Sequence, residues 1–512
     1  MRLRRIFPLL LALALLSAPA GCGSLPAPAH PAQSESEPDV SAPAPGPGQE
    51  APALPPFTLA FYPDYSIHPA LAANRANLAL SPLLYEGLFT VDGAFQPVPV
   101  LCRSWSVSED GLVWTFLLRQ GVTFSDGTPL TGTLAARALN TALGRGSRYE
   151  GRISYLRSVT GTEEAVTVTL YQPNGALPAL LDIPLALDDS GRPLGTGQYV
   201  LDEPAEGTPA LHARSDWWAG QPAPVHTIRL FSIQQAGDLI AAFDSGDVTL
   251  LDVDLTGTNS LGYSGSYEVW DYSTSDLIYL GFNTKKGWCR DVNVRRAVSR
   301  GIDRQSIAQI PYASHAAASS LPVHPSSPLS DSELQAAAAY DPDFLARFLQ
   351  SASLPAKPLV LLVNTENRAK VSTAEYVAYQ LQAVGLEAEV KKLPWDDFTA
   401  ALEKGEFDLY VGEVLLPADF DPSALLSSSG ALNYGRWEDS RADQLLYALR
   451  CAREEDRAPA ARELWNRLEE TAPIAPICFK NGSVLTQWGR LSGLRPVQNN
   501  AFFGLEGWVL DP

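Results

Sequence analysis

The chain has 512 residues, of which 46% are hydrophobic and 19% charged, and its formal net charge is −19. That length can bury a large core in two or three domains. So acidic a surface, without one basic run of five residues, argues against a nucleic-acid partner, because phosphate contacts need Lys and Arg.

Arg2, Arg4 and Arg5 precede an apolar run from Ile6 to Leu16, and Ala20-Gly21-Cys22 follows. A charged start, a short apolar core and small residues before a processing point predict a signal peptide over residues 1–21. The run is too short to span a bilayer core of about 30 Å. The small pair before Cys22 resembles a bacterial lipobox, with Pro19 where leucine is usual. It implies that Cys22 is acylated, becomes the mature N-terminus and anchors the protein to the outside of the cell membrane. An ordinary secretory signal with an incidental cysteine is the alternative. Residues 22–56 are rich in Pro, Ala, Ser and Glu. They cannot offset their ordering entropy by burial and are predicted to form an extended tether.

Phe57 to Phe61 reads as a strand and Tyr62-Pro63-Asp64 as the loop leaving it. His68, further along, suits a capping or solvated role better than metal binding, which needs several convergent ligands. Trp114, Phe116 and Leu118 alternate with Thr115, Leu117 and Arg119, the period of a strand with unequal faces. Asp126-Gly127 supplies a turn. Thr133 is predicted to cap a helix whose apolar positions are Leu134, Ala135, Ala138, Leu139 and Ala142. Thr167 to Leu170 continue the strand material. Gly195 and Gly197 are not a phosphate loop, since no Lys-Ser/Thr pair follows and a strand comes next. Trp217 and Trp218 are expected to pack around a turn, with sugar stacking as the alternative. Asp238 to Asp254 reads as helix, Ser-Gly turn and strand.

Val294, Ala297, Val298 and Ile302 form one helical stripe, which predicts mainly solvated Arg295, Arg296, Arg300 and Arg304. Leu359 to Val363 is a continuous apolar run, as in a strand buried on both faces. Ala374, Val377, Ala378, Leu381 and Val384 follow at helical spacing, and Gly385 can end that helix. Leu386, Ala388 and Val390 then alternate with polar residues, and a helix from Trp395 to Lys404 precedes Phe407 to Val411. Strand–helix–strand–helix–strand predicts a parallel α/β layer. Ala442 to Leu449 and Arg457 to Thr471 read as helices, and Ala475 to Phe479 and Ser483 to Leu485 as strands. The aromatic tail 499–509 is expected to pack back on the first domain.

The chemistry-bearing residues form no catalytic pattern. None of the six histidines lies in HExxH, and no GxSxG elbow occurs. No Cys/His spacing suggests zinc, so neither a metal nor another cofactor is expected. Cys102, Cys289, Cys451 and Cys478 allow two disulfides or four buried thiols equally well. The chain is expected not to be an enzyme, with a secreted hydrolase as the runner-up.

The order of residues is more specific than their period. Tyr85-Glu86-Gly87-Leu88, Pro97 to Leu101, Ser104-Trp105, Trp114-Thr115-Phe116, Gly121-Val122 and Phe124 to Leu130 form one ordered series. Leu280-Gly281-Phe282-Asn283-Thr284, Val294-Arg295 and Ile302-Asp303-Arg304 form another. Both resemble the extracytoplasmic peptide- and nickel-binding proteins of ABC importers. The resemblance implies a two-lobed α/β fold of the periplasmic-binding-protein type (class II) that closes on its ligand by hinge motion. It implies a discontinuous domain I (57–88, 192–275 and 485–512), domain II at 89–191 and domain III at 276–484. The implied partners are a small solute, most simply a peptide, and the permease and ATPases of an importer, with the protein itself a monomer.

Ile67-His68-Pro69 and Asn74 to Leu84 resemble the family's cleft-lining first loop and helix, which makes His68 and Tyr85 candidate ligand contacts. Ala418-Asp419-Phe420, with Asp421-Pro422, resembles the motif whose aspartate holds a peptide's α-ammonium group. That makes Asp419, Phe420 and the preceding Leu416 further candidates. An acidic loop capping the next helix is the plainer reading of Asp419 and Asp421. Pro417 removes a backbone donor, so strand-like pairing with a peptide is in doubt. A nickel chelate, an oligosaccharide or an opine-like compound are the other solutes this fold could hold.

Overall fold

The computed structural model describes residues 56–187, 193–204, 207–257, 262–352 and 357–510; the expected signal peptide, Cys22 and tether lie outside them. The parallel unit forms as its sequence predicts. Strand Leu359–Asn364 pairs in parallel with both Ala388–Leu393 and Leu409–Leu415. Helices Arg368–Ala383 and Trp395–Lys404 make the crossovers. Gly385 stands just past the first at φ +92°, a conformation strained for any residue with a Cβ.

This unit is one end of a mixed sheet of eleven strands. Two long strands, Tyr267–Phe282 and Ile474–Gln487, lie side by side in its middle and pair antiparallel. Leu409–Leu415 flanks the first and Leu250–Val253 the second. Beyond Leu250–Val253 come Thr58–Phe61 and then Thr227–Ser232, both parallel pairings. Ala210–Ala213 and Tyr199–Asp202 finish that end. The two short strands expected at Ala475–Phe479 and Ser483–Leu485 are therefore one strand of 14 residues. Tyr279 faces Gly412 and Tyr410 faces Gly281 across the ladder. Each ring lies where the glycine's Cβ would be, and the two hydroxyls meet at 3.3 Å.

Residues 102–170 build a separate four-stranded antiparallel sheet under helix Gly132–Ala142. Trp114, Phe116 and Leu118 point into its core as their alternation predicts. The helix cap is Thr131 rather than Thr133. Thr131 is extended and its hydroxyl accepts from the Leu134 N–H at 3.3 Å, whereas Thr133 falls inside the first turn. A hairpin of Phe89–Val91 and Pro97–Pro99 carries Phe95 at its tip, at φ +63°. Phe95 is buried against Phe420, 4.8 Å between ring centres, and against His324 at 5.4 Å. Thus residues early in the chain complete a core built mainly from residues 277–479.

Two of the four arginines expected to be solvated are buried. Arg295 donates to the carbonyls of Thr471 and Ala472, at the end of helix Glu454–Thr471, and to Cys289 O. Arg304 donates to Pro476 O at 2.7 Å and to Ser299. These guanidiniums supply orphan helix-end and loop carbonyls with donors, which repetition of apolar residues cannot reveal. Arg296 and Arg300 remain part-exposed and share Glu469. Cys102, Cys289, Cys451 and Cys478 are all free thiols. The tail returns to the first strand, with Trp508 between Phe57 and Phe502. No helix among the described residues is long and apolar enough to cross a membrane.

Candidate functional site

A cleft of about 530 Å³ opens over the middle of the large sheet. Its floor is made by the two long central strands, through Tyr272, Thr274, Asp276 and Lys480. Lys480 is almost fully buried, yet its ammonium reaches three carboxylates: Asp254 at 2.9 Å, Asp276 at 3.1 Å and Glu413 at 2.9 Å. Burial disfavours the Lys480 charge, but these acids outweigh it and hold the ammonium protonated. The acids divide in their response. Burial pushes the Asp276 carboxyl up to about 6 against the pull of Lys480, with Glu413 adding to the rise. Asp254 is only half-buried, and Lys480 holds it below the ordinary carboxylate range. Lys370 approaches Glu413 at 3.4 Å from the other side.

One wall comes from the short helix Arg75–Ala79 and the segment from Tyr85 to Phe89. Arg75 pairs with Asp252 at 3.0 Å, and the Tyr272 hydroxyl donates to the same carboxylate at 2.7 Å. Glu86 accepts from Trp218 Nε1 at 2.9 Å and Thr196 Oγ1 at 2.8 Å. Burial nonetheless raises its carboxyl to about 7. The opposite wall carries Arg148, Tyr149 and Asp182. Asp182 is bound by Arg152, and its other oxygen accepts from Asn499 Nδ2 at 3.3 Å. Arg148 differs from the other cations of the cleft. It is exposed, lies 5.5 Å from the Tyr149 ring centre and has no carboxylate partner among the described residues. Among the described residues, no histidine or cysteine lines this cleft.

The residues singled out from sequence are dispersed. Tyr85 lines the cleft and also a neighbouring cavity of about 400 Å³. His68 lines only that neighbour, where its ring accepts from the Ala70 N–H at 3.1 Å in a local turn. Leu416 is held to Ser275 through both its N–H and its carbonyl. Phe420 packs between Phe95 and Phe479 at φ +54°. Asp419 is 5% exposed and borders a larger lateral cavity. Burial raises its carboxyl, Asp421 adds to the rise, and Arg457 and Asn174 oppose it. Its charge also reaches Arg152, the partner of Asp182. Asp421 accepts from the Ser423 N–H at 2.9 Å and so supports the turn.

Sequence reasoning missed Lys480, its three acids, Arg75, Asp252 and Arg148. Two signals were available. Asp252, in the apolar strand Leu250–Val253, and Asp254, directly after it, sit two apart, the spacing that places both on one face of extended chain. Lys480 directly follows the buried run Ile474–Phe479, where a charge demands partners.

Residues 96–434 match the family described as bacterial extracellular solute-binding proteins, family 5 Middle. The nickel-binding periplasmic protein of Escherichia coli K12 is 23% identical over 450 residues, covering 79% of this chain and 85% of that protein. The glutathione-binding protein GsiB of Shigella flexneri serotype 5b is 24% identical, covering 67% and 70%. In three dimensions the chain is similar to the ABC transporter substrate-binding protein CtaP of Listeria monocytogenes. The TM-score is 0.73 at 18% identity, over 89% of this chain and 99% of that one. With two thirds of its length matched, this chain belongs to the family 5 solute-binding proteins of ABC importers, and its fold is theirs.

Proposed function

We propose that the cleft captures a small organic solute bearing a free carboxylate, a peptide being the class its chemistry suits, and delivers it to an ABC permease. One observation carries this reading: Arg148 is exposed in the cleft and uncommitted, while Arg75 and Lys480 are already paired with acids. A guanidinium offers a carboxylate two parallel hydrogen bonds. The lack of histidine and cysteine in the cleft gives a bare transition metal no soft ligand. The glutathione-binding relative is named for a peptide with free carboxylates. Asp419 contributes through Arg152, as a buried counter-charge.

The two long strands support a hinge, since they run through the boundaries proposed at 275/276 and 484/485. On this reading residues 57–88, 192–275 and 485–512 form one domain, 89–191 a second and 276–484 a third. Ligand would favour the closed arrangement. Acylation of Cys22 would hold the protein at the outer face of the membrane.

Mass spectrometry of small molecules released from freshly purified, denatured protein tests the solute class. Peptides are expected. For a recovered peptide, Arg148→Gln should weaken binding about tenfold or more, as should amidation of its C-terminus. Unchanged affinity in both experiments would remove the carboxylate from the reading.

A further inference from the structure

Main-chain hydrogen bonds join residues 89–191 to residues 57–88 and 192–275. Val100 N–H donates to Leu88 O at 3.0 Å, Leu185 N–H to Glu86 O at 2.9 Å, Arg148 N–H to Ala70 O at 3.1 Å and Ser125 N–H to Gly195 O at 2.8 Å. On the hinge reading above, these parts move as one body against residues 276–484. Yet residues 89–191 also touch 276–484 directly, at two places that a swinging lobe must separate.

The first is the hairpin tip. Phe95 is 3% exposed, with its ring against Phe420 and His324, and the Ser326 hydroxyl donates to Gly93 O at 3.0 Å. Both phenylalanines stand at positive φ, +63° for Phe95 and +54° for Phe420. A backbone so strained persists only where its surroundings hold it, and such strain gathers at clamps and switches. The second place is Arg450, which is buried. Its guanidinium lies 4.5 Å from the Tyr155 ring centre and donates to Gln172 Oε1 at 2.8 Å. Its carbonyl accepts from the Gly175 N–H at 2.8 Å. A Cβ on Gly175 would collide with Ala452 O, so only glycine permits this approach.

We propose that these two contacts are a latch that keeps the empty chain closed, so that solute is exchanged only after Phe95 leaves Phe420 and His324 and Arg450 parts from Tyr155 and Gln172. None of these residues lines the cleft, so the latch acts on the balance of closed and open forms and not on the solute. A ring inserted in a close-packed core is either in or out, which gives the latch two states. The proposal rests on the hinge reading above and not on the identity of the solute.

Small-angle scattering and hydrogen exchange test this on the full chain, freed of solute by unfolding and refolding. Compared with the empty wild type, the double variant Phe95→Ala, Arg450→Gln should have a larger radius of gyration. Its Gly175 amide should exchange at least about tenfold faster. The amides of strands Tyr267–Phe282 and Ile474–Gln487 should keep their protection, which a mere loss of core packing would lower with the rest. Arg450→Gln alone decides the matter if the double variant fails to fold, and should speed Gly175 exchange by a few-fold. An empty wild type as expanded as the variant, with an unprotected Gly175 amide, overturns the latch and leaves the hinge standing. Equal compactness and equal Gly175 exchange in both proteins overturn the latch and count against the hinge itself. A uniform loss of protection through the central strands overturns the latch as well.

Discussion

Glu86 should make the folded chain more stable in mild acid than in base, and Glu86→Gln should remove that dependence. Its carboxyl rises from the ordinary 4.5 to about 7, chiefly through burial. The folded chain therefore holds this proton more tightly than the unfolded chain does. Stability gained from it is complete below about pH 4.5 and is lost as pH rises through 7. Each pH unit between the two values is worth about 1.4 kcal/mol, so the ionised form costs roughly 3 kcal/mol well above pH 7. Between about pH 5.5 and pH 8 the difference is about 2 kcal/mol. Glu86 is only half-buried at the cleft, so water makes this a ceiling. Gln keeps a carbonyl oxygen for Trp218 and Thr196 and has no charge to desolvate. Urea titrations of both proteins at the two pH values measure the effect. The variant should be the more stable at pH 8 and should close most of the gap at pH 5.5. The same pH dependence in both proteins would refute the reasoning, because Glu86 would then ionise as an ordinary surface acid.

Lys480→Met should destabilise the chain by about 3 kcal/mol at neutral pH, the lower end for a broken buried pair, since it strands half-buried carboxylates without their cation. Urea denaturation would show the loss, and it should shrink below about pH 5 as those carboxyls protonate. Gly412→Ala places a methyl group inside the Tyr279 ring and should cost about 1–3 kcal/mol, read as a lower urea midpoint with an unchanged slope. Cys22→Ser should release the protein from membranes or block its processing; a normally processed, membrane-bound variant would end the lipoprotein proposal.

What was legible in the sequence depended on how local its cause is. The unit from Leu359 to Leu415 could be read because apolar spacing, a terminal glycine and alternation each act within a few residues. The choice between Thr131 and Thr133 as cap turns on a single backbone conformation, which composition does not express. Lys480-Asn481-Gly482 looks like a break between two strands. The strand continues because Asp254, Asp276 and Glu413 neutralise the lysine from three other segments. Burial of Arg295 and Arg304 likewise depends on carbonyls at residues 471–476, far along the chain. The same reason hid the cleft: family resemblance pointed to Tyr85, which lines it, but the charges around that residue come from partners brought together only by the fold.

The hairpin tip has a consequence for how the molecule is made. Phe95 leaves the ribosome long before Phe420 and Phe479, against which its core is packed. Until His324 and then Phe420 arrive, the Phe95 ring lacks its packing partners and its positive φ has no compensating contact. Contacts so distant in sequence form late, because closing the intervening loop precedes any gain from burial. The early sheet can therefore fold as the chain emerges, while its hairpin keeps an unburied phenylalanine until synthesis is almost complete. A chaperone or translocation factor that binds exposed aromatic side chains would find a long-lived target there.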